Sequence, residues 1–540
     1  MKDMKWYWTI PLSLLSSFLL IISFPPFNAN IFGFIALAPI LLIAYTSSLR
    51  KTIGCAFIFA YFFYCIYLFW MNAYLAVVGV LFVTVVFGTF FVLSLVFINV
   101  ASRAFPRYRA FLTPFIWIGF DYIRSFGFLG FTFGSIGYTQ HNFTSFIQLA
   151  DVGGEQLIAF ILVLFSAGLA ETAVFLVEGY RENRTGAGSK PYLSRFYPLA
   201  GGIILIIVSL VYGSIVLSRP LPKGQRMKLS LIQGLSTPRT EWKKEKWKTL
   251  KGLENLSRES IKNEGNVDLV VWTETAIRTS LRPNLIYGSP YHTRIQRLVR
   301  EIGAYFIIGS PDNFSVRSGE VKEEDLETIY PTKGDEEIWT NSAYFLSPEG
   351  EIIDKYDKIH LTPFGEHFPL GNKIRFLQKI LDNFTDSAGF TPGAGPVVFD
   401  HEKMDFGVVI CWEGTYGYFI RDFVRAGADF MVNISNDMWT KTRAGHFQHF
   451  TITKFRAIEN RIWFARAAND GVTAIVDPRG RVVDILPIKE AGYLVGEIGP
   501  REKTTFYTRA GDLLPRTALA VLVLSFIGSL VVLIRRAGER

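Results

Sequence analysis

Eight stretches of this chain are apolar over roughly the length of a membrane-crossing helix: residues 8–24, 31–46, 52–74, 75–100, 110–128, 157–177, 197–217 and 517–534. About 20 apolar residues in a helix span the hydrocarbon core of a bilayer. Inside lipid the backbone must satisfy its own hydrogen bonds, which limits such segments to helices. The run at 31–46 is a little short, and 110–128 carries Asp121 and Arg124. The reading is nevertheless eight transmembrane helices, because leaving out the fifth breaks the alternation of every later loop. Between the seventh and eighth lies a segment of ordinary soluble composition, 218–516. Over all 540 residues, half are hydrophobic and only 19% are charged. That is too little charge for a disordered or coiled-coil chain. Three cysteines exclude a disulfide scaffold.

Charge placement orients the helices. Outside 218–516 there are 15 Lys/Arg against 8 Asp/Glu, whereas the segment itself holds 41 and 39. The basic excess therefore belongs to the apolar part, and a nucleic-acid-binding reading loses its main support. With a cytoplasmic N-terminus, 14 of those 15 basic residues fall on the cytoplasmic side, Arg124 being the exception. The long segment then lies outside the cytoplasm. The first run is followed by Phe24-Pro25-Pro26-Phe27 rather than a small-residue cleavage site, so it is expected to stay as the first helix. The expected domains are 1–217 (helices one to seven), 218–510 (an extracytoplasmic domain) and 511–540 (the eighth helix and a cytoplasmic tail).

The long segment alternates short Val- and Ile-rich runs with helical patterns. Strands are expected at 227–233, 267–272, 305–310, 341–347, 405–411, 429–435 and 472–477, and helices at 241–263, 290–302, 416–426 and 447–462. Short apolar strands alternating with helices imply an α/β domain with helices covering the sheets. The charged run at 318–336 reads as a solvated loop. The TGAGSK stretch at 185–190 lacks the residue order of a phosphate loop.

Cys411 is the only cysteine outside the apolar runs. It ends the run Phe406-Gly407-Val408-Val409-Ile410 and precedes a helical pattern, a strand-end position that places a side chain in the crevice at the sheet's edge. Nearby helix-N-terminal amides would favour its thiolate. A lone cysteine on an apolar strand is, however, more often a small core residue. Glu274 follows Leu269-Val270-Val271-Trp272-Thr273, also at a strand end. Poorly solvated there, its pKa would rise toward that of a general base, although a surface glutamate fits equally well. Lys358 lies in the polar stretch Lys355-Tyr356-Asp357-Lys358-Ile359-His360, where a solvated lysine is the ordinary outcome and a fixed cation for an oxyanion the functional one. His446 and His449 are spaced i, i+3 with no evident third ligand, so no metal is expected.

Taken together, in the order Glu, Lys, Cys, these residues resemble the nitrilase (carbon–nitrogen hydrolase) superfamily and its Glu-Lys-Cys triad. With seven helices before the segment and one after, the whole chain resembles the apolipoprotein N-acyltransferase family. The matching elements are Gln233-Gly234 with Trp242 beyond, WTE at 272–274, DKIHLTPFGEHFP at 357–369, CWE at 411–413, SNDMW at 435–439, QH at 448–449 and RAAND at 466–470. The chain has Trp412 where the family commonly has Tyr, Trp439-Thr440-Lys441 where it commonly has Trp-Phe-Gly, and Phe-Thr-Phe at 131–133 where a Trp is frequent.

The resemblance implies an αββα sandwich beside the transmembrane helices, in a multi-pass protein of the bacterial inner membrane. It implies a two-step transfer: Glu274 as base, Cys411 as nucleophile and Lys358 as oxyanion stabiliser. Glu366 and Glu413 take supporting roles, and Trp242, Trp412 and Trp439 form pocket walls. The implied donor is a phospholipid, and the implied acceptor is the α-amine of a lipoprotein's N-terminal diacylglyceryl-cysteine. No cofactor or metal is implied. Two rival readings fit parts of the pattern. One is a membrane-anchored amidase that uses water as acceptor. The other is a transporter whose intramembrane Asp121, Arg124 and Glu171 line a pathway.

Overall fold

The computed structural model describes residues 4–127, 130–185, 193–235, 239–281, 290–315, 337–363, 365–366 and 389–539. The run at 318–336 and the TGAGSK stretch, apart from Thr185, lie outside the described residues. The chain divides into two compact units, one of residues 1–220, 440–459 and 505–540, the other of residues 221–439 and 460–504.

In the first unit, six helices among the described residues are long and apolar enough to cross a membrane: Trp6–Ser23, Leu49–Tyr67, Leu75–Ala104, Glu155–Glu178, Ser194–Ser218 and Leu513–Gly538. The two remaining apolar runs fold as shorter pieces. One is the apolar stretch Asn30–Thr46, and the other is the 17-residue helix Arg109–Ser125. Lipid offers no hydrophobic drive between helices, so they associate through close packing and polar contacts. Ser17 Oγ donates to the Phe59 carbonyl at 2.9 Å, and Ser166 Oγ to that of Phe34 at 2.7 Å. Asn99 Nδ2 reaches the Ala44 and Ser47 carbonyls at 2.7 and 3.1 Å.

Ions in such a unit are costly unless paired. Arg109 grips Glu171 with two parallel bonds of 2.5 and 3.1 Å. Arg124 pairs with Asp121 and also donates to the carbonyls of Phe131 and Phe133. The three intramembrane ions that a transporter reading needs are thus held in ion pairs. The helix Arg443–Asn460 groups with this unit through Glu459. Its Gln448 accepts from Trp70 Nε1 at 2.7 Å and donates to the carbonyls of Pro25 and Tyr67. Its Glu459 accepts from the Glu155 amide at 3.0 Å and from Arg456 at 2.8 Å. His446 bonds Thr440 at 3.0 Å, and the His449 ring lies 6.2 Å from that of Phe133.

The second unit has two six-stranded sheets. In order of pairing, the first is β12 (Gly492–Ile498), β1 (Met227–Gln233), β2 (Leu269–Val271), β3 (Tyr305–Ser315), β4 (Glu337–Leu346) and β5 (Ile352–Asp357). The second is β11 (Val482–Ile485), β10 (Ala474–Val476), β9 (Trp463–Ala468), β8 (Phe430–Ser435), β7 (Phe406–Ile410) and β6 (Val398–Phe399). Each has a parallel trio at its centre, β1-β2-β3 and β7-β8-β9, with antiparallel strands outside it.

Side chains alternate between the faces of a strand. In the first sheet Ile232, Val270, Phe306 and Tyr344 share one cluster with Leu250 and Leu253 of helix Arg239–Glu264 and Leu298 of helix Pro290–Ile302. Phe345, pointing the other way, stacks on Phe399 at 5.1 Å and meets Phe406 edge-on at 5.4 Å, both in the second sheet. Helix Gly417–Arg425 covers the second sheet so closely that a Cβ on Gly407 would lie 2.6 Å from Phe423. The layering is helix–sheet–sheet–helix, as the resemblance implies. All seven expected strands form. The strands not expected are β9, which is buried but carries Arg466, and the outer strands β5, β6, β11 and β12; β5 is half charged and only partly buried, and β11 is exposed throughout. Edge strands of that kind carry no apolar signature.

The Arg109–Glu171 pair yields a test. Arg109→Met strips the bidentate partner from a carboxylate only 5% exposed, and removing one member of a buried pair costs about 3 kcal/mol. Thermal unfolding in detergent is expected to show that loss. Arg109→Met combined with Glu171→Leu should recover most of it.

Candidate active site

Glu274 sits three residues beyond β2, on a turn packed against Gly309 of β3. A Cβ on Gly309 would lie 2.3 Å from the Thr273 carbonyl oxygen and 2.7 Å from Glu274 Cα, so only glycine lets the turn approach. Lys358 is the first residue after β5, and its amide donates to the Asn341 carbonyl of β4 at 2.8 Å. Cys411 follows β7 directly, with φ +57°, the left-handed region that non-glycine residues seldom occupy. All three are buried, at 5%, 1% and 5% exposure.

The ammonium of Lys358 lies 2.8 Å from Glu366 Oε2 and 3.4 Å from Glu274 Oε1. Asn341 bridges the two carboxylates, donating to Glu274 at 2.8 Å and to Glu366 at 2.7 Å. The other oxygen of Glu274 accepts from the Asn436 amide at 2.7 Å, and Glu366 accepts from the Thr362 amide at 2.8 Å. A buried cation flanked by two carboxylates, each bonded to neutral donors, meets the condition under which burying charge is tolerable.

These contacts set the proton affinities. Burial raises the Glu274 carboxyl above the usual range, with the Lys358 charge opposing and the Glu366 charge adding to it. Burial works against the Lys358 ammonium, yet the Glu366 and Glu274 charges hold it well above an ordinary lysine. For Glu366 burial also opposes ionisation, but Lys358 and the donated hydrogen bonds bring it below the usual value. Burial, then the Glu274 charge, pushes the Cys411 thiol up, against the pull of Lys358. Burial is the largest of these influences, so the thiol holds its proton more tightly than an ordinary cysteine.

Glu413 is completely buried and does not touch the other carboxylates in this way. It accepts from the Tyr356 hydroxyl and the Ile359 and His360 amides on one oxygen, at 2.8, 2.8 and 2.9 Å, and from the Ile410 amide on the other, at 2.8 Å. Burial raises its carboxyl to about 7. One side chain thus ties the backbone around Lys358 to the strand that ends at Cys411.

Trp412 is half-buried; its indole N–H donates to the His360 carbonyl at 2.9 Å and its ring lies 5.6 Å from that of Tyr416. Trp439 ends the turn Asp437–Trp439 and is half-buried. The side chain of Trp242 lies outside the described residues.

Sequence reasoning assigned no role to Asn341, Asn433, Asn436 or Arg466. The signal available was a polar side chain at an inward position of an apolar strand: Asn433 within FMVNIS and Arg466 within WFARAA, both fully buried. A buried polar group needs partners, which marks such positions as parts of a network.

Residues 228–505 match the carbon–nitrogen hydrolase family, and residues 16–168 match the apolipoprotein N-acyltransferase N-terminal domain. The chain is 32% identical to an apolipoprotein N-acyltransferase of Geobacter metallireducens over 517 residues, covering 93% of this chain and 91% of that one. It is 30% identical to apolipoprotein N-acyltransferase 1 of Treponema denticola over 453 residues (81% and 79%). With an apolipoprotein N-acyltransferase of Chlorobaculum tepidum it shares 27% over 540 residues (94% of each).

Asn341 supplies a pH test. Its hydrogen bond favours the ionised form of Glu274, so Asn341→Leu should raise that carboxyl further. A base must be unprotonated to act, and its activity is lost as pH falls through its pKa. The acid limb of Cys411 acylation by an activated ester should therefore move to higher pH in Asn341→Leu. The loss should be greater at pH about 6 than at pH about 8. An unmoved limb contradicts the assignment of Glu274 as base.

Proposed function

The chain belongs to the apolipoprotein N-acyltransferase family, and from that premise we propose that Cys411 takes an acyl chain from a phospholipid as a thioester and passes it to the α-amine of an N-terminal diacylglyceryl-cysteine on a lipoprotein. The observation that carries this reading is a Glu274–Lys358 ion pair of 3.4 Å buried together with the Cys411 thiol, in a chain whose described residues include six helices long and apolar enough to cross a membrane.

Glu274 takes the thiol proton as Sγ attacks the ester carbonyl carbon. The carbonyl oxygen becomes anionic against Lys358. Collapse breaks the ester C–O bond, and the proton passes from Glu274 to the departing oxygen of the lysophospholipid. The amine then attacks the thioester carbonyl, Glu274 accepts a proton from nitrogen, the C–S bond breaks, and that proton returns to sulfur. A carboxylate with raised proton affinity suits both directions of this shuttle. Thioesters react readily with amines, and an α-amine of pKa about 8 is about one-tenth neutral at pH about 7. Glu366 fixes Lys358, Glu413 fixes the backbone on both sides of the site, and Trp412 and Trp439 wall the pocket, a role the family resemblance also gives to Trp242.

The membrane topology belongs to the same reading. The stretch Asn30–Thr46 and the helix Arg109–Ser125 complete eight crossings, with both termini cytoplasmic and the catalytic domain, 218–510, on the other side of the bacterial inner membrane. Charge placement supports this. Tethering suits the substrates as well. Each CH₂ of an acyl chain favours the bilayer by about 0.8 kcal/mol, so drawing a chain of about 16 carbons into water costs roughly 10 kcal/mol or more.

Purified protein mixed with phospholipid should gain the mass of one acyl group, labile to hydroxylamine, and Cys411→Ala should gain none. A transporter would give no adduct in either protein. Free fatty acid released with no acceptor amine present, at the rate the donor is consumed, would point to an amidase-like hydrolase instead.

A further inference from the structure

Asn433 stands on β8 between Val409 of β7 and Arg466 of β9, the three being register neighbours across the parallel trio. Its Nδ2 donates to the carbonyls of Val409 at 3.1 Å and Cys411 at 3.0 Å. Its Oδ1 accepts from Arg466 Nη1. Arg466 Nη2 donates to Asp437 Oδ2 at 2.7 Å, and both ions are fully buried. An amide side chain has one accepting end and one donating end. With a guanidinium on the accepting end, the donating end of Asn433 has one direction left, toward the nucleophile turn.

The peptide that follows Cys411 is trans and planar, so its C=O and N–H point in opposite directions. Holding the Cys411 carbonyl therefore also aims the Trp412 N–H, away from Asn433. The turn needs holding, because Cys411 sits at φ +57°, a conformation that persists only when its surroundings impose it. Asp437 continues the network. Its amide donates to Asn469 Oδ1 at 3.1 Å, Asn469 Nδ2 donates to Asn436 Oδ1 at 2.6 Å, and the Asn436 amide holds Glu274.

We propose that Asn433, locked by Arg466, is a positioning residue: it fixes the Cys411–Trp412 peptide so that the Trp412 N–H acts as an oxyanion donor alongside Lys358. The proposal rests on the acyl-thioester reading above and adds what aims the amide. Asn433 touches neither substrate nor the reacting atoms; it acts through the peptide plane.

The test compares two reactions of the same sulfur in the full-length chain. Alkylation by iodoacetamide displaces iodide and forms no oxyanion. Acylation by p-nitrophenyl butyrate passes through one. In Asn433→Leu, alkylation should stay within about two-fold of the unaltered protein, while acylation falls about 100-fold, the typical loss for one oxyanion donor. Asn433→Thr returns a hydroxyl donor and should recover acylation by about ten-fold over Leu. Where the Leu variant fails to fold, the Thr variant is read alone, and its ratio of acylation to alkylation should still fall. Equal losses in both reactions, or no loss in acylation, overturn the proposal. An unaltered protein acylated by the p-nitrophenyl ester but never by phospholipid would instead refute the donor assignment and leave this test readable.

Discussion

A lysine ammonium 1% exposed to solvent is the constraint around which the site is built. Buried charge is tolerable only when paired and fully hydrogen-bonded. That requirement brings Glu366 to 2.8 Å and Glu274 to 3.4 Å from Lys358. Two carboxylates so placed repel each other, and Asn341 sits between them as a shared donor. The same arrangement divides their behaviour. Glu366 stays ionised as a permanent counter-charge, whereas Glu274, less well compensated, retains an affinity for protons. Two identical side chains thus acquire different proton affinities from their surroundings, the division that the proposed shuttle uses.

The second sheet solves a different problem, which is how to hold the strained turn at Cys411. Glu413 draws the Ile410 amide and the backbone after Lys358 onto one carboxylate. Asn433 and Arg466 hold the other side of the turn from beneath. Position and strain at Cys411 thus come from parallel strands packed on both faces, an environment in which polar side chains have few alternative partners.

Much of this was legible in the sequence. The parallel strands β1, β2, β3, β7 and β8 announce themselves because both their faces are buried and the residues are correspondingly apolar. The strand ends then locate Glu274 and Cys411. Lys358 is harder to place, because β5 before it is a partly buried edge strand with charged residues, and nothing local separates a buried lysine from a solvated one. The burial that raises the thiol is not legible in the sequence, because it comes from strands distant along the chain. Asn341 was passed over in NSAYFLS because its partners, Glu274 and Glu366, lie 67 and 25 residues away. Of the eight apolar runs, six form helices of full crossing length. Hydropathy reports apolar length but does not fix where a helix such as Arg109–Ser125 stops.

The central claim is that a single sulfur carries the acyl chain from an ester to an amine. The most direct measurement loads the protein with an isotopically labelled acyl group, removes the donor, and mixes it rapidly with a diacylglyceryl-cysteine peptide while thioester, amide and free fatty acid are followed together. The account expects the amide to appear at the rate at which the thioester disappears, one per loaded chain, with little free acid. Amide formed at an unchanged thioester level, or a thioester that decays mainly to free acid in the presence of the peptide, would contradict it.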